Sequence, residues 1–206
     1  MIDLACLVAD KSIEATFDSL LKRPEALRIR AITSEIVVHP ERDPGCFHDP
    51  GQLLGGFTGS ARQALVVLDH AWEGVPAEDA PELERLLEER LRKFGPPGWA
   101  RALVIEPELD VWVFSDSPHV AEVLGWRPPS TPTLRNALEK EGLWEPAKAK
   151  PEDPKGAMDW TLRRAGLPRS SALFRKLASQ VSLRRCQDRS FQRLMDLFGG
   201  WFGPVG

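Results

Sequence analysis

Short apolar runs alternate with helical patterns along the first half of the chain, and this alternation constrains the fold more than any other feature. Runs rich in β-branched residues lie at Ile2–Val8, within 27–39, at 64–68 and at 102–105. Continuous apolar runs of this length are typical of strands that are buried on both faces, as in parallel sheets. The sequence therefore predicts an α/β fold, with a mostly parallel sheet and helices on both faces.

Helical patterns fill the segments between and after these runs. A helix is predicted from Ser12, its expected N-cap, to about Lys22, and a second one is predicted over 78–94. Three more helices are predicted near the end of the chain, at 156–165, 170–180 and 191–198. The segment 41–51 is dense in proline, glycine and aspartate, which favours a loop.

Proline-rich stretches suggest three parts. Residues 1–127 are predicted to form the α/β core, 128–155 a connecting segment, and 156–206 a small, basic, helical C-terminal region. The net charge of the chain is −3, but nine basic residues face only two acids from position 161 onward, so residues 1–160 carry −10. This asymmetry predicts an anionic partner, nucleic acid. The alternative is that the basic residues simply form the solvated faces of helices.

Cysteine usage and hydropathy indicate the compartment. Three cysteines lie far apart in the sequence, which favours neither a disulfide framework nor a cysteine metal site. No basic leader precedes the first apolar run, and no apolar run approaches the ~18 residues of a membrane span. We therefore expect a cytoplasmic protein without a membrane partner.

Acidic residues follow three of the four predicted strands. Asp10 follows the first strand, Asp69 the third, and Glu106, Glu108 and Asp110 the fourth. In a parallel sheet these strand ends meet at one edge, where functional groups collect. Carboxylate oxygens are the ligands that Mg²⁺ or Mn²⁺ prefers, and such an ion can neutralise phosphate charge and activate water. Taken singly, each acid is more often a helix cap or a solvated loop residue.

Five stretches of the sequence together resemble a known family. They are L-V-A-D-K-S-I-E-A-T-F, A-L-V-V-L-D-H-A-W-E-G, V-I-E-P-E-L-D-V-W-V-F and the C-terminal S-S-A-L-F-R-K-L with R-R-C-Q-D-R-S-F-Q-R-L. The chain resembles Toprim-like small bacterial anti-phage defence proteins of the methylation-associated defence system subunit type. These are related to the Toprim nuclease domain of overcoming-lysogenization-defect nucleases. The resemblance spans nearly the whole chain.

The chain departs from the family pattern at two acids. The family glutamate at the end of the first strand is Ala9 here, while the glutamate five residues later is kept as Glu14. The family Asp-x-Asp motif keeps Asp69, but its second acid is Ala71, and Glu73 could replace it from the same loop. The site is therefore rewired, degenerate, or changed by engineering at position 9.

The resemblance implies a Mg²⁺- or Mn²⁺-dependent nuclease, or a nuclease-like subunit, of a bacterial defence system. Its expected partners are nucleic acid, above all DNA, and other subunits of that system. The alternative is a catalytically degenerate subunit that binds nucleic acid or a partner protein; a third possibility is an enzyme acting on another phosphorylated substrate. The implied catalytic residues are Glu14 and Asp69, and the implied metal ligands are Asp69, Glu73, Glu108 and Asp110. The residues expected to contact nucleic acid are Lys11, Arg163, Arg164, Arg175, Arg184, Arg185 and Arg189.

Overall fold

One parallel sheet organises the molecule, whose structure, a computed structural model, describes residues 1–115, 117–126 and 132–203. The strands are β1 (Ile2–Val8), β2 (Ser34–Val38), β3 (Ala61–Asp69) and β4 (Ala100–Ile105). They lie in the order β2-β1-β3-β4, and every neighbouring pair is parallel. The predicted α/β class with a parallel sheet is confirmed.

Helices connect and cover these strands. They are α1 (Lys11–Leu21), α2 (Pro24–Leu27), α3 (Arg42–His48), α4 (Gly51–Leu54), α5 (Ala80–Leu91), α6 (Asp110–Val113), α7 (Pro118–Val123), α8 (Leu134–Lys140), α9 (Pro154–Ala165), α10 (Ser171–Gln180) and α11 (Arg189–Phe202). Short 3₁₀ turns lie at Gly55–Phe57 and Leu183–Arg185. Consecutive residues of β1 and β3 are buried, so both faces of the sheet are covered.

The segment after β2 departs from the prediction, because α3 occupies most of what the sequence suggested was a loop. Pro44 lies in the first turn of α3, where its missing N–H costs no hydrogen bond within the helix. Gly45 faces the ring of His39, and a Cβ at this position would lie 2.1 Å from the His39 Nδ1 atom. The glycine is therefore needed for close packing and does not mark a break in the helix.

The C-terminal helices pack on the sheet and on α1. α10 lies against α1, and α11 lies against β4. Phe174 of α10 and Phe198 of α11 belong to the same buried apolar cluster as β1 and β3. The predicted boundary between positions 127 and 128 lies outside the described residues, and the three-part division stays a prediction.

None of the helices in the described ranges combines the length and the apolar character that crossing a membrane requires.

Candidate functional site

The register of the sheet brings the predicted strand-end acids to one edge. Val8 of β1 lies opposite Val67 of β3, so Asp10 comes level with Asp69 at the end of β3. Asp69 in turn lies opposite Ile105, the last residue of β4. The acids that follow β1, β3 and β4 therefore share the carboxyl edge of the sheet, as their positions in the sequence predicted.

Asp10 is bound to the start of α1. Its Oδ1 atom accepts hydrogen bonds from the backbone N–H groups of Ser12 and Ile13, both at 2.8 Å. A side chain placed just before a helix satisfies free amides of the first turn in this way. The N-cap is therefore Asp10 and not Ser12, which lies within the first turn.

Two aspartates connect three loops at this edge. The Oδ1 atom of Asp43, in α3, accepts a hydrogen bond from the backbone N–H of Asp69 at 2.8 Å. The Oδ1 atom of Asp69 accepts one from the backbone N–H of Leu109 at 3.0 Å. The segments after β2, β3 and β4 are thus held together through these two carboxyl groups.

The same two aspartates have raised pKa values. Burial, followed by the charges of Asp43, Asp10, Glu108 and Asp110, raises the pKa of Asp69 well above its ordinary value. Burial also raises the pKa of Asp43, although the hydrogen bond from the Asp69 N–H opposes this shift. This edge therefore favours the protonated forms of Asp69 and Asp43.

The raised pKa of Asp69 predicts a pH dependence of stability. Above the ordinary aspartate value of 3.8, the folded chain retains a proton that the unfolded chain releases. The contribution of Asp69 to the free energy of unfolding therefore falls as the pH rises from 3.8 through the raised pKa. We expect Asp69→Asn to be more stable than the parent at neutral pH, with a difference that shrinks toward pH 3.8. Urea denaturation across this range measures both effects.

Glu73→Gln is the matched control for this experiment, because Glu73 is an exposed acid in the loop after the same strand. Its unfolding midpoint should follow that of the parent at every pH. If the free energy of unfolding of Asp69→Asn differed from that of the parent by the same amount at every pH, Asp69 would hold no extra proton in the folded chain.

Glu108 and Asp110 are bound by one basic residue at the end of the connecting segment and one in the C-terminal region. Lys155 Nζ lies 2.8 Å from the Oε2 atom of Glu108. Arg169 donates two hydrogen bonds to Asp110, from Nη1 to Oδ1 at 2.7 Å and from Nη2 to Oδ2 at 2.5 Å. The Asp110 residue is 1% exposed, so this two-pronged contact, and not water, is its direct charge partner.

The chemistry of this donor set does not fit the divalent ion that the resemblance implies. Across residues 1–115, 117–126 and 132–203, no three histidine, cysteine, aspartate or glutamate side chains gather in a way that could hold a metal ion. Two of the four predicted ligands, Glu108 and Asp110, already face cations of the chain. A metal would therefore have to displace Lys155 and Arg169.

The other predicted site residues lie apart from this network. Lys11 and Glu14 form an ion pair along α1, with Nζ and Oε2 at 2.8 Å. Glu73 is exposed in the loop after β3. Ala9 is enclosed at the end of β1, whereas Ala71 is exposed.

One of the predicted nucleic-acid contacts is used inside the molecule. Arg189 Nη2 lies 2.6 Å from the Oε2 atom of Glu84, a residue of α5 that is 3% exposed. Arg193 lies 3.0 Å from the same carboxylate and 2.8 Å from Glu88. Part of the basic excess of the C-terminal region therefore balances the acidic core of the same chain.

The remaining predicted arginines are exposed. Arg163 and Arg164 lie on α9, where the Arg164 guanidinium stacks over the ring of Trp160 at 5.2 Å. Arg175 lies on α10, 3.9 Å from Asp18. Arg184 and Arg185 lie on the 3₁₀ turn before α11. Their role in binding nucleic acid stays a prediction.

Three residues of the edge were missed at the level of sequence. Asp43 follows β2 by five positions, so the rule that selected Asp10 and Asp69 would have found it had that rule been applied to the predicted loop. Lys155 and Arg169 carry no such signal, because their partners lie 47 and 59 residues away in the chain.

Comparison with known proteins gives one structural likeness. No protein-family model and no curated protein matches the chain. The C-terminal region of the Burkholderia pseudomallei OLD protein resembles it in structure with a TM-score of 0.49, at 14% sequence identity over 97% of this chain and 98% of that one. A likeness of this size shows neither a family nor an activity.

Proposed function

We propose that the chain is a Toprim-like, catalytically degenerate subunit of a bacterial anti-phage defence complex that binds nucleic acid without hydrolysing it. The observation that carries the proposal is the pairing of Glu108 with Lys155 and of Asp110 with Arg169 at the carboxyl edge. The sequence resemblance supports the fold family and the defence role. The loss of two family acids, at Ala9 and Ala71, supports the absence of hydrolysis.

The physical argument concerns charge and coordination. Lys155 and Arg169 together place two positive charges beside Glu108 and Asp110, which is the charge that one Mg²⁺ would supply. Unlike a metal ion, a guanidinium offers a water or a phosphate oxygen only hydrogen bonds and no coordination position. Such a cation balances the acids but cannot activate an attacking water, which is what metal-dependent hydrolysis requires.

The exposed arginines supply the binding surface in this proposal. Arg163, Arg164 and Arg184 extend from α9 and from the turn before α11, and side chains of this kind bind phosphates without reading the base sequence. Arg189 is left out of this surface, because it is paired with buried Glu84. The bound nucleic acid would therefore contact α9 and the turn, and not the start of α11.

A combined binding and cleavage experiment tests this proposal. We expect calorimetric titration of Mg²⁺ or Mn²⁺ to give no measurable binding, and plasmid DNA to stay intact with either ion. Duplex DNA should bind, and its affinity should fall steeply with salt as counterions are released. Arg163→Ala combined with Arg164→Ala should reduce the slope of log K against log salt by about 0.9 for each phosphate contact that is lost.

Arg92→Ala is the control, because Arg92 is an exposed arginine directly after α5, outside the basic region. Its salt slope should match that of the parent. Mg²⁺-dependent cleavage that disappears in Asp69→Ala would overturn the proposal. Absence of DNA binding at low salt would remove the nucleic-acid partner and favour a protein partner.

A second candidate, the Mg²⁺-dependent nuclease, is favoured by the crowding of acids around Asp69. Burial raises the pKa of Asp69 most, and the charges of Asp43, Asp10, Glu108 and Asp110 raise it further, so negative charge gathers around Asp69 at this edge. A divalent cation would be attracted to such a place. This candidate requires Lys155 and Arg169 to leave their partners, and the cleavage experiment distinguishes it from the first.

A further inference from the structure

A cleft lies between α2, α11 and the 3₁₀ turn that precedes α11. The space within it is about 780 Å³, which falls in the range of ~300–1,000 Å³ typical of small-ligand sites. Its lining includes apolar side chains, among them Leu183 and Met195, and three charged ones, Arg28, Arg184 and Asp196. An apolar cleft on which a few charged groups converge from separate segments is a common form of ligand site.

The two arginines of the cleft are not engaged by the rest of the molecule. Arg28 lies at the end of α2 and Arg184 in the turn before α11, and both are exposed. In the part of the chain that the structure describes, neither guanidinium forms an ion pair, a hydrogen bond or a ring contact. Each guanidinium therefore keeps its five N–H donors available to a ligand.

Other arginines of the chain are held by its own acids. Arg30 lies 2.6 Å from Asp3, and Arg101 lies 2.8 Å from Glu88. Acids are not scarce, since 30 aspartates and glutamates accompany 27 lysines and arginines. Asp196 is the one acid among the described residues that line the cleft, and it pairs with neither arginine. The lining therefore carries an excess of positive charge and is complementary to an anion.

We propose that this cleft binds a phosphate group, held by the guanidinium groups of Arg28 and Arg184. A guanidinium presents paired N–H donors that match the oxygens of a phosphate. Apolar walls such as Leu183 strengthen these charged hydrogen bonds, because they keep water from part of the contact. The site does not rest on the nucleic-acid proposal, since a phosphate group alone occupies it and Arg28 lies outside the surface on α9 and the turn.

Calorimetric titration of the full chain with inorganic pyrophosphate tests this site. We expect saturable binding by the parent and an affinity about tenfold lower in Arg28→Gly, because a charge-assisted hydrogen bond is lost. Glycine is the suitable replacement, since Arg28 has a φ of 56°, which glycine adopts without strain. Arg184→Ala changes the other side of the cleft and should lower the affinity by a similar factor.

Arg42→Gly is the matched control. Arg42 is also an exposed arginine with a left-handed backbone, at a φ of 54°, but it lies at the start of α3 and outside the cleft. Its affinity for pyrophosphate should equal that of the parent. Asp196→Asn removes the acid of the cleft and should instead raise the affinity, because one like charge is lost. A parent that binds no pyrophosphate, or equal losses in Arg28→Gly and Arg42→Gly, would contradict the proposal.

Duplex DNA distinguishes the two sources of the phosphate group, a nucleic-acid backbone and a small phosphate ester. Weaker DNA binding by Arg28→Gly, together with displacement of DNA by pyrophosphate, would place a backbone phosphate in the cleft. Unchanged DNA binding by a variant that has lost pyrophosphate would assign the cleft to a small phosphate ester. A parent that binds pyrophosphate but no DNA would keep this site and lose the nucleic-acid partner proposed above.

Discussion

Replacement of Arg169 by alanine is expected to lower the free energy of unfolding by about 3 kcal/mol, near the lower end of what removal of one partner costs in a buried ion pair. Asp110 is 1% exposed and binds Arg169 through both of its oxygens. Without the guanidinium, Asp110 must stay charged in a nearly dry environment or take up a proton. Urea denaturation of the two proteins measures the difference.

Two matched variants test whether the loss of stability comes from the contact between Arg169 and Asp110. Arg163→Ala removes the same kind of side chain from an exposed position on α9 and should change the free energy of unfolding by no more than about 0.5 kcal/mol. Arg169→Lys keeps the charge but loses the two-pronged geometry, so its stability should lie between those of the parent and Arg169→Ala. A loss in Arg169→Ala no larger than that in Arg163→Ala would show that Asp110 does not depend on this contact.

Replacement of Phe198 by alanine is expected to lower the free energy of unfolding by about 3 to 5 kcal/mol. Phe198 is 0% exposed in α11 and belongs to the cluster that also contains the sheet residues. Truncation of its ring leaves a cavity between α11 and the sheet, and the loss combines the transfer energy with the energy of that cavity. Thermal and urea denaturation should give one cooperative transition at a lower midpoint.

Asp196→Ala provides the comparison on the same helix, since Asp196 is exposed. Its effect should stay within about 0.5 kcal/mol. If the C-terminal region folded separately, Phe198→Ala would instead shift only a second, minor transition and leave the main one unchanged. The experiment therefore also tests the predicted division of the chain after position 155.

The sheet was predictable because its signal is local. β1 and β3 are continuous apolar runs, and in a parallel sheet covered on both faces each residue of such a run is buried. The shared edge of Asp10 and Asp69 followed from the same rule. α3 was missed because Pro44 and Gly45 are ordinarily loop residues, and the contact that explains Gly45 involves the ring of His39.

The pairing of the candidate-site acids with cations of the same chain could not be predicted in the same way. Arg169 belongs to the basic region whose excess charge suggested an external anion, and Lys155 lies just before that region. Only the folded chain shows that these two residues, together with Arg189 and Arg193, face acids of the core. Ion pairs between distant segments leave no periodicity or spacing in the sequence, so charge alone does not distinguish an internal partner from an external one.

The pairing of Asp110 with Arg169 has a consequence for how the edge responds to its surroundings. A metal ion fills its site only to the extent that its free concentration exceeds the dissociation constant, and a chelator can empty that site. Arg169 is tethered to the carboxylate that it neutralises, so its effective concentration is set by the fold, on the order of millimolar or higher. The charge balance of Asp110 is therefore independent of the supply of divalent ions.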